Sequence, residues 1–95
     1  MSVFAFVEHS VKDFDSWKVV FEENQVLRES HGAIRHWLYR SAENSNEVFI
    51  ATEFPTLEQA KGFAADPALP AAMERAGVEG PPRISFRVED EVVDY

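Results

Sequence analysis

Three histidines, an asparagine in a helical stripe and an arginine between apolar strand residues are the side chains here suited to acid–base or anion chemistry. His36 is the acid–base candidate. If Arg40 pairs with Glu47 in a hairpin, Trp37 lies opposite Ile50, Tyr39 opposite Val48, and His36 opposite Ala51. That register brings His36 diagonally close to Glu53, whose carboxylate would hold one tautomer and raise the imidazole pKa, as a general base requires. The same pair also suits a polar patch on a sheet or dimer surface. Arg87, between Phe86 and Val88, must pair or reach water. It can clamp a carboxylate or enolate, or pair with Glu89 or an acid of a second subunit. Asn24 interrupts an apolar helical stripe and can donate to a ligand oxygen in a cleft between helix and sheet, or sit as a satisfied amide at an edge. Trp37, Tyr39 and Trp17 suit a wall for a flat ligand, or a core or interface. His9 ends a strand-like run and His31 a helical one, where a cation suits the helix dipole; both read as structural. The histidines are too scattered for a metal-site spacing, so no metal is expected.

No Ser-His-Asp order, paired-carboxylate motif or Gly-rich phosphate loop is present, and Gly77 to Gly80 frames a turn. Cysteine is absent, which removes disulfide, zinc-thiolate and thiol-nucleophile chemistry. Nine basic against seventeen acidic residues give a net charge of −8, a field that repels phosphate backbones and anionic lipid. Nucleic-acid and membrane partners are therefore not expected. The acids at Glu89, Asp90, Glu91 and Asp94 read as a solvated tail. The first residues lack a basic segment followed by a long apolar one, and no apolar run approaches the roughly 20 residues that span a bilayer, so a cytoplasmic protein is expected.

The elements that must position these groups alternate in type. Val3 to His9 reads as a strand, apolar on both faces. A helix follows from Asp13 to His31, capped by Asp13 or Asp15, with Phe14, Trp17, Val20, Phe21 and Leu27 on one stripe and Gly32 closing it. Ala33–Arg40 and Glu47–Phe54 form the hairpin around the polar loop Ser41 to Asn46. Thr56-Leu57-Glu58-Gln59 has the form of a capping box for a second helical stretch to Ala76, restarted at Asp66-Pro67. Its buried stripe comprises Leu57, Ala60, Phe63 and Ala64, then Leu69, Met73 and Ala76. After the rigid turn Gly80-Pro81-Pro82, a last strand begins at Arg83. The order is β-α-β-β-α-β in one domain, residues 1–95: an α+β, ferredoxin-like arrangement with a four-stranded antiparallel sheet and helices on one face. Nothing within the chain covers the other face. A 95-residue domain buries only about two-thirds of its unfolded surface. Its eight Phe, two Trp and two Tyr therefore point to a subunit interface.

Val11-Lys12-Asp13-Phe14-Asp15-Ser16-Trp17, Glu47 to Phe54, and Asp66 to Phe86 carry a resemblance to the dimeric α/β-barrel superfamily. This superfamily includes the antibiotic-biosynthesis monooxygenases. Asp66-Pro67-Ala68-Leu69 and Ala76-Gly77-Val78-Glu79-Gly80-Pro81-Pro82 resemble a cyclase-like subgroup. The resemblance covers nearly the whole chain and implies a homodimer whose two sheets close into a barrel. Some relatives oxidise aromatic polyketides without metal or flavin and others degrade haem; no local motif around a histidine here specifies an iron ligand. Two functions follow. One is a cofactor-independent monooxygenase- or cyclase-like enzyme on an aromatic or polyketide-like compound. Its base would be His36, Arg87 or Asn24 would steady the anion, and Trp37 and Tyr39 would line the pocket. The other is a non-catalytic dimer that binds a small hydrophobic ligand or serves an assembly.

Overall fold

Strand alternation sets the layers. In the computed structural model, which describes residues 1–95, β1 (Val3–Val11) buries Val3, Ala5, Val7, His9 and Val11 in turn. Its neighbour β3 (Glu47–Phe54) buries Val48, Ile50, Thr52 and Phe54 on the same side. With β2 (Arg35–Arg40) and β4 (Val78–Arg87) they form one antiparallel sheet in the order β2-β3-β1-β4. All four helices, α1 (Phe14–Glu23), α2 (Gln25–Ser30), α3 (Leu57–Ala65) and α4 (Ala68–Arg75), cover one face, giving the expected ferredoxin-like α+β fold.

The caps act as the sequence suggests. Asp13 starts α1, accepting the Ser16 backbone N–H at 2.9 Å. Thr56 starts α3, accepting the Gln59 N–H at 3.2 Å, and Asp66 accepts the Ala68 N–H at 2.9 Å at the head of α4. His31 and Asp66 meet at 2.7 Å and tie the end of α2 to the α3–α4 junction. The hydrogen bond to His31 is the main reason the Asp66 carboxyl lies below its usual pKa. Leu57, expected in the buried stripe of α3, is exposed.

Three boundaries differ from the sequence reading. The helix expected over 13–31 breaks at Asn24, which closes α1 and opens α2. The last strand begins at Val78 rather than Arg83. Gly80-Pro81-Pro82 lies inside it, and its pairing with β1 shifts register between Glu8 and Ser10, since two prolines cannot donate to a ladder. The hairpin is slipped by one residue: Arg40 pairs with Val48, Trp37 with Ala51, Tyr39 with Phe49 and His36 with Thr52. The loop accounts for the slip. Ser41 donates its backbone N–H to Glu47 O at 3.0 Å, so Glu47 closes against Ser41. A one-residue slip moves every side chain to the other partner set.

Gly32 lies in the left-handed region at φ +89°, and a Cβ there would come within 2.5 Å of the Gln59 amide nitrogen. Gly32→Ala is expected to destabilise by about 1–2 kcal/mol through the backbone alone, read from urea unfolding. An unchanged midpoint would mean that the α2–β2 turn relaxes freely.

Candidate functional site

Trp17, Phe21, Asn24 and Arg28 recur at helical spacing and point from α1 and α2 toward β1 and β3. Trp17 and Phe21 stack with centroids 4.8 Å apart and planes 19° from parallel. The Arg28 guanidinium lies over the Phe21 ring at 3.9 Å, a cation–π contact in a desolvated setting. At the other end the Trp17 ring meets the His9 imidazole edge-on at 5.7 Å. Phe63, Leu69 and Met73 close the space from α3 and α4. What remains is a narrow cleft of about 50 Å³ between helices and sheet. That is room for a few waters rather than a fused-ring molecule.

Its polar members are His9, Asn24, Arg28 and Thr52, set among ten hydrophobic residues. Arg28 is 4% exposed yet forms no ion pair with any carboxylate. Burial lowers its pKa to about 10, leaving it a cation at neutral pH. His9 is 8% exposed, and neither ring nitrogen has a hydrogen-bond partner. Burial pushes its pKa down to about 4, so its imidazole is neutral near pH 7. The Asn24 side chain makes no cap bond to α2 and lines the cleft. An unpaired cation, an unpaired imidazole and an amide at one apolar cleft are what an anionic, hydrogen-bonding ligand would satisfy.

Of the residues singled out by sequence, Asn24 and Trp17 line this cleft, as does His9, which reads from the sequence as structural. His36 faces the helices but is exposed, its ring edge against Phe21 at 5.1 Å. It has no carboxylate partner: Glu53 is on the opposite sheet face, bound to Arg35 Nε at 2.8 Å. The His36 pKa is lowered rather than raised, mainly by burial and then by the charges of Arg28 and Lys18. The His36–Glu53 pairing is therefore overturned, because it depended on Arg40 pairing with Glu47. Trp37, Tyr39 and Arg87 all lie on the face without helices. There Arg87 reaches over the Phe6 ring at 5.0 Å and donates to the Ser85 hydroxyl at 3.3 Å. They do not share a site with Asn24.

Sequence reasoning missed His9 and Arg28. Arg28 continues the Trp17–Phe21–Asn24 stripe, which was the available signal; His9 belongs to the buried alternation of β1 and not to its end. No group of three or more His, Cys, Asp or Glu side chains is arranged to hold a metal ion. No helix is long and apolar enough to cross a membrane.

No protein-family profile matches the chain, and no curated protein matches it in sequence. Solved structures do match, across almost their whole length. SnoaB from Streptomyces nogalater, a cofactor-independent oxygenase, superposes with a TM-score of 0.79 at 13% identity, covering 99% of this chain and 98% of that one. The monooxygenase from ActVA-Orf6 of Streptomyces coelicolor, solved in complex with the ligand nanaomycin D, gives 0.68 at 21% identity, covering 99% and 92%. A proposed antibiotic biosynthesis monooxygenase from Caulobacter crescentus gives 0.73 at 14% identity, covering 95% and 91%. The likeness at these identities is one of fold, and the fold is that of the antibiotic biosynthesis monooxygenase-like structures.

Proposed function

From this shared fold and the cleft beneath α1 and α2, we propose that the protein is a monooxygenase-like enzyme acting, as a homodimer and without a cofactor, on a small aromatic, acidic compound. The observation that carries the reading is Arg28: a buried guanidinium with no ion-paired carboxylate, lining an apolar cleft. A retained buried cation is costly unless something anionic meets it. The bound compound supplies that anion as a phenolate or enolate, and the apolar lining of the cleft suits its ring system. Two of the similar structures are an oxygenase and a monooxygenase by name, and the first is cofactor-independent.

The chemistry this geometry suits starts with loss of a proton from an activated ring methylene. The carbanion, delocalised onto oxygen and held by Arg28, gives an electron to dioxygen. The resulting radical pair joins through a new C–O bond as a peroxide anion, which takes back the first proton to form a hydroperoxide. Loss of water leaves a ketone, so that the methylene and dioxygen become a carbonyl group and one water. Both electron pairs that reduce dioxygen come from the substrate carbon. Asn24 is placed to hydrogen-bond a substrate oxygen. A fused-ring substrate requires the cleft to widen, and the α1–α2 break at Asn24 is the place where its wall can bend.

Dioxygen uptake with a panel of reduced, hydroxylated polycyclic aromatics tests the reading. One ketone formed per dioxygen is expected. Arg28→Met should lower kcat/KM by roughly 100-fold, the scale of losing one oxyanion donor. Ligand binding with no uptake across the panel would favour the second reading, a non-catalytic ligand-binding dimer.

A further inference from the structure

The cleft has two chemically different ends, and the order of groups between them is fixed. His9 meets Trp17 at 5.7 Å, Trp17 stacks on Phe21 at 4.8 Å, and Phe21 carries Arg28 at 3.9 Å. A neutral base and a cation thus stand at opposite ends of an aromatic row, both lining one space. We propose that His9 takes the proton from the bound molecule while Arg28 receives the charge left behind. The ligand is then a fused-ring acid whose ionisable hydrogen and whose charge-bearing oxygen lie at two ends of one conjugated system. The proposal rests on the proposed function, in which the cleft is a ligand site that widens to admit a fused-ring compound.

Both nitrogens of His9 lack partners, although the residue is more than nine-tenths buried. One carries a hydrogen and the other a free lone pair. A structural histidine in a core normally has at least one of these satisfied, because an orphaned polar atom is destabilising. The lone pair is available near pH 7 because burial keeps the ring uncharged. In the transfer, the ligand O–H or C–H bond breaks, the proton joins the free imidazole nitrogen, and the electron pair stays on the ligand. Negative charge formed beside the ring then raises the proton affinity of His9. Conjugation carries the rest of that charge to the far oxygen, where Arg28 waits. A ligand in which acid and oxygen are adjacent would leave one end of the row unused. No carboxylate pairs with Arg28, so the ligand anion is not competing with a protein acid. His36 and His31, the other imidazoles on this side of the sheet, do not line the cleft, and neither makes a hydrogen bond that would link it to His9.

The test uses a nitronaphthol with its hydroxyl and nitro groups at opposite ends of the fused rings, whose anion is coloured. It is mixed with the protein about one pH unit below its own pKa, and 15N NMR of the histidine rings is recorded alongside. Wild type should bind the coloured anion, ionised about tenfold beyond the free dye. Both His9 nitrogens should move together to imidazolium positions. His9→Gln should bind the uncoloured acid. Colour undiminished in His9→Gln, or His9 remaining neutral while the wild type binds, overturns the proton transfer and leaves the ligand site standing. Absence of binding by the wild type overturns the ligand site, and this proposal with it.

Discussion

His9→Leu is expected to be more stable than the wild type, and the margin should widen in acid. The native imidazole occupies a well-packed position beside Trp17 with both nitrogens unpaired. Replacing an unsatisfied buried polar group by an apolar one of similar volume removes a desolvation penalty of about 1–3 kcal/mol. The pH dependence has a definite sign. Folding lowers the His9 pKa from 6.5 to about 4, so the unfolded chain binds the proton first. The contribution of His9 to stability is complete above pH 6.5 and is lost as pH falls toward 4. Over that window the unfolding free energy of the wild type falls by on the order of 3 kcal/mol from this group alone. His9→Leu lacks that slope. Urea unfolding at neutral pH and near pH 4.5 checks both parts. A variant no more stable than wild type at neutral pH, with the same slope, would show that the imidazole is satisfied in the fold. Its retention would then need no functional reason.

Stability and activity should move in opposite directions here. A general base typically contributes 10²–10⁴-fold, so the stabilised His9→Leu protein should turn over substrate slower by about that factor. Folded proteins keep unsatisfied or strained groups chiefly where a ligand completes them. Arg28 adds to the same cleft a buried guanidinium that forms no ion pair with a carboxylate. Two such groups at one cleft argue for a ligand more strongly than either does alone.

The architecture was legible because local signals agreed. Asp13 and Thr56 cap helices as their side chains suggest, and Gly32 takes the left-handed turn. Alternation along Val3 to His9 marks the first strand, which the fold extends to Val11. The site was much less legible, and the hairpin shows why. With period-two alternation, the assignment of His36, Trp37 and Tyr39 to faces depends on a register that one loop hydrogen bond decides, Ser41 to Glu47. An apolar residue stands at many positions on both faces of β3, so hydrophobicity alone did not penalise the wrong pairing. Arg28 escaped notice because a long cation on a short helix is ordinarily at the surface. Its burial follows from its place on the inward Trp17–Phe21–Asn24 stripe.

The sheet face without helices leads to the second large effect. Phe4 and Phe6 of β1, Trp37 and Tyr39 of β2, and Phe49 of β3 share it, with Trp37 and Phe49 each 37% and Tyr39 58% exposed. Phe4 contacts Phe6 at 6.4 Å and Trp37 at 5.7 Å, a continuous aromatic surface. Monomeric proteins seldom leave so large an apolar patch in water. We expect light scattering to give twice the 10.8 kDa chain mass across dilution. Phe49→Asp should shift the protein to monomer. A two-fold interface is self-complementary, so the single substitution places two carboxylates in the contact. Each buried, unpaired charge costs several kcal/mol if it remains ionised, and about 2 kcal/mol where side-chain movement brings it to water. Two of the cheaper kind already weaken the dimer roughly a thousandfold. The cleft is built within one chain, on the opposite face of the sheet, so the monomeric variant should still bind an aromatic acid there. Loss of binding on dissociation would mean that the second copy supplies or shapes part of the site. A wild type that scatters as a monomer at every concentration would leave this face without a partner and remove the barrel.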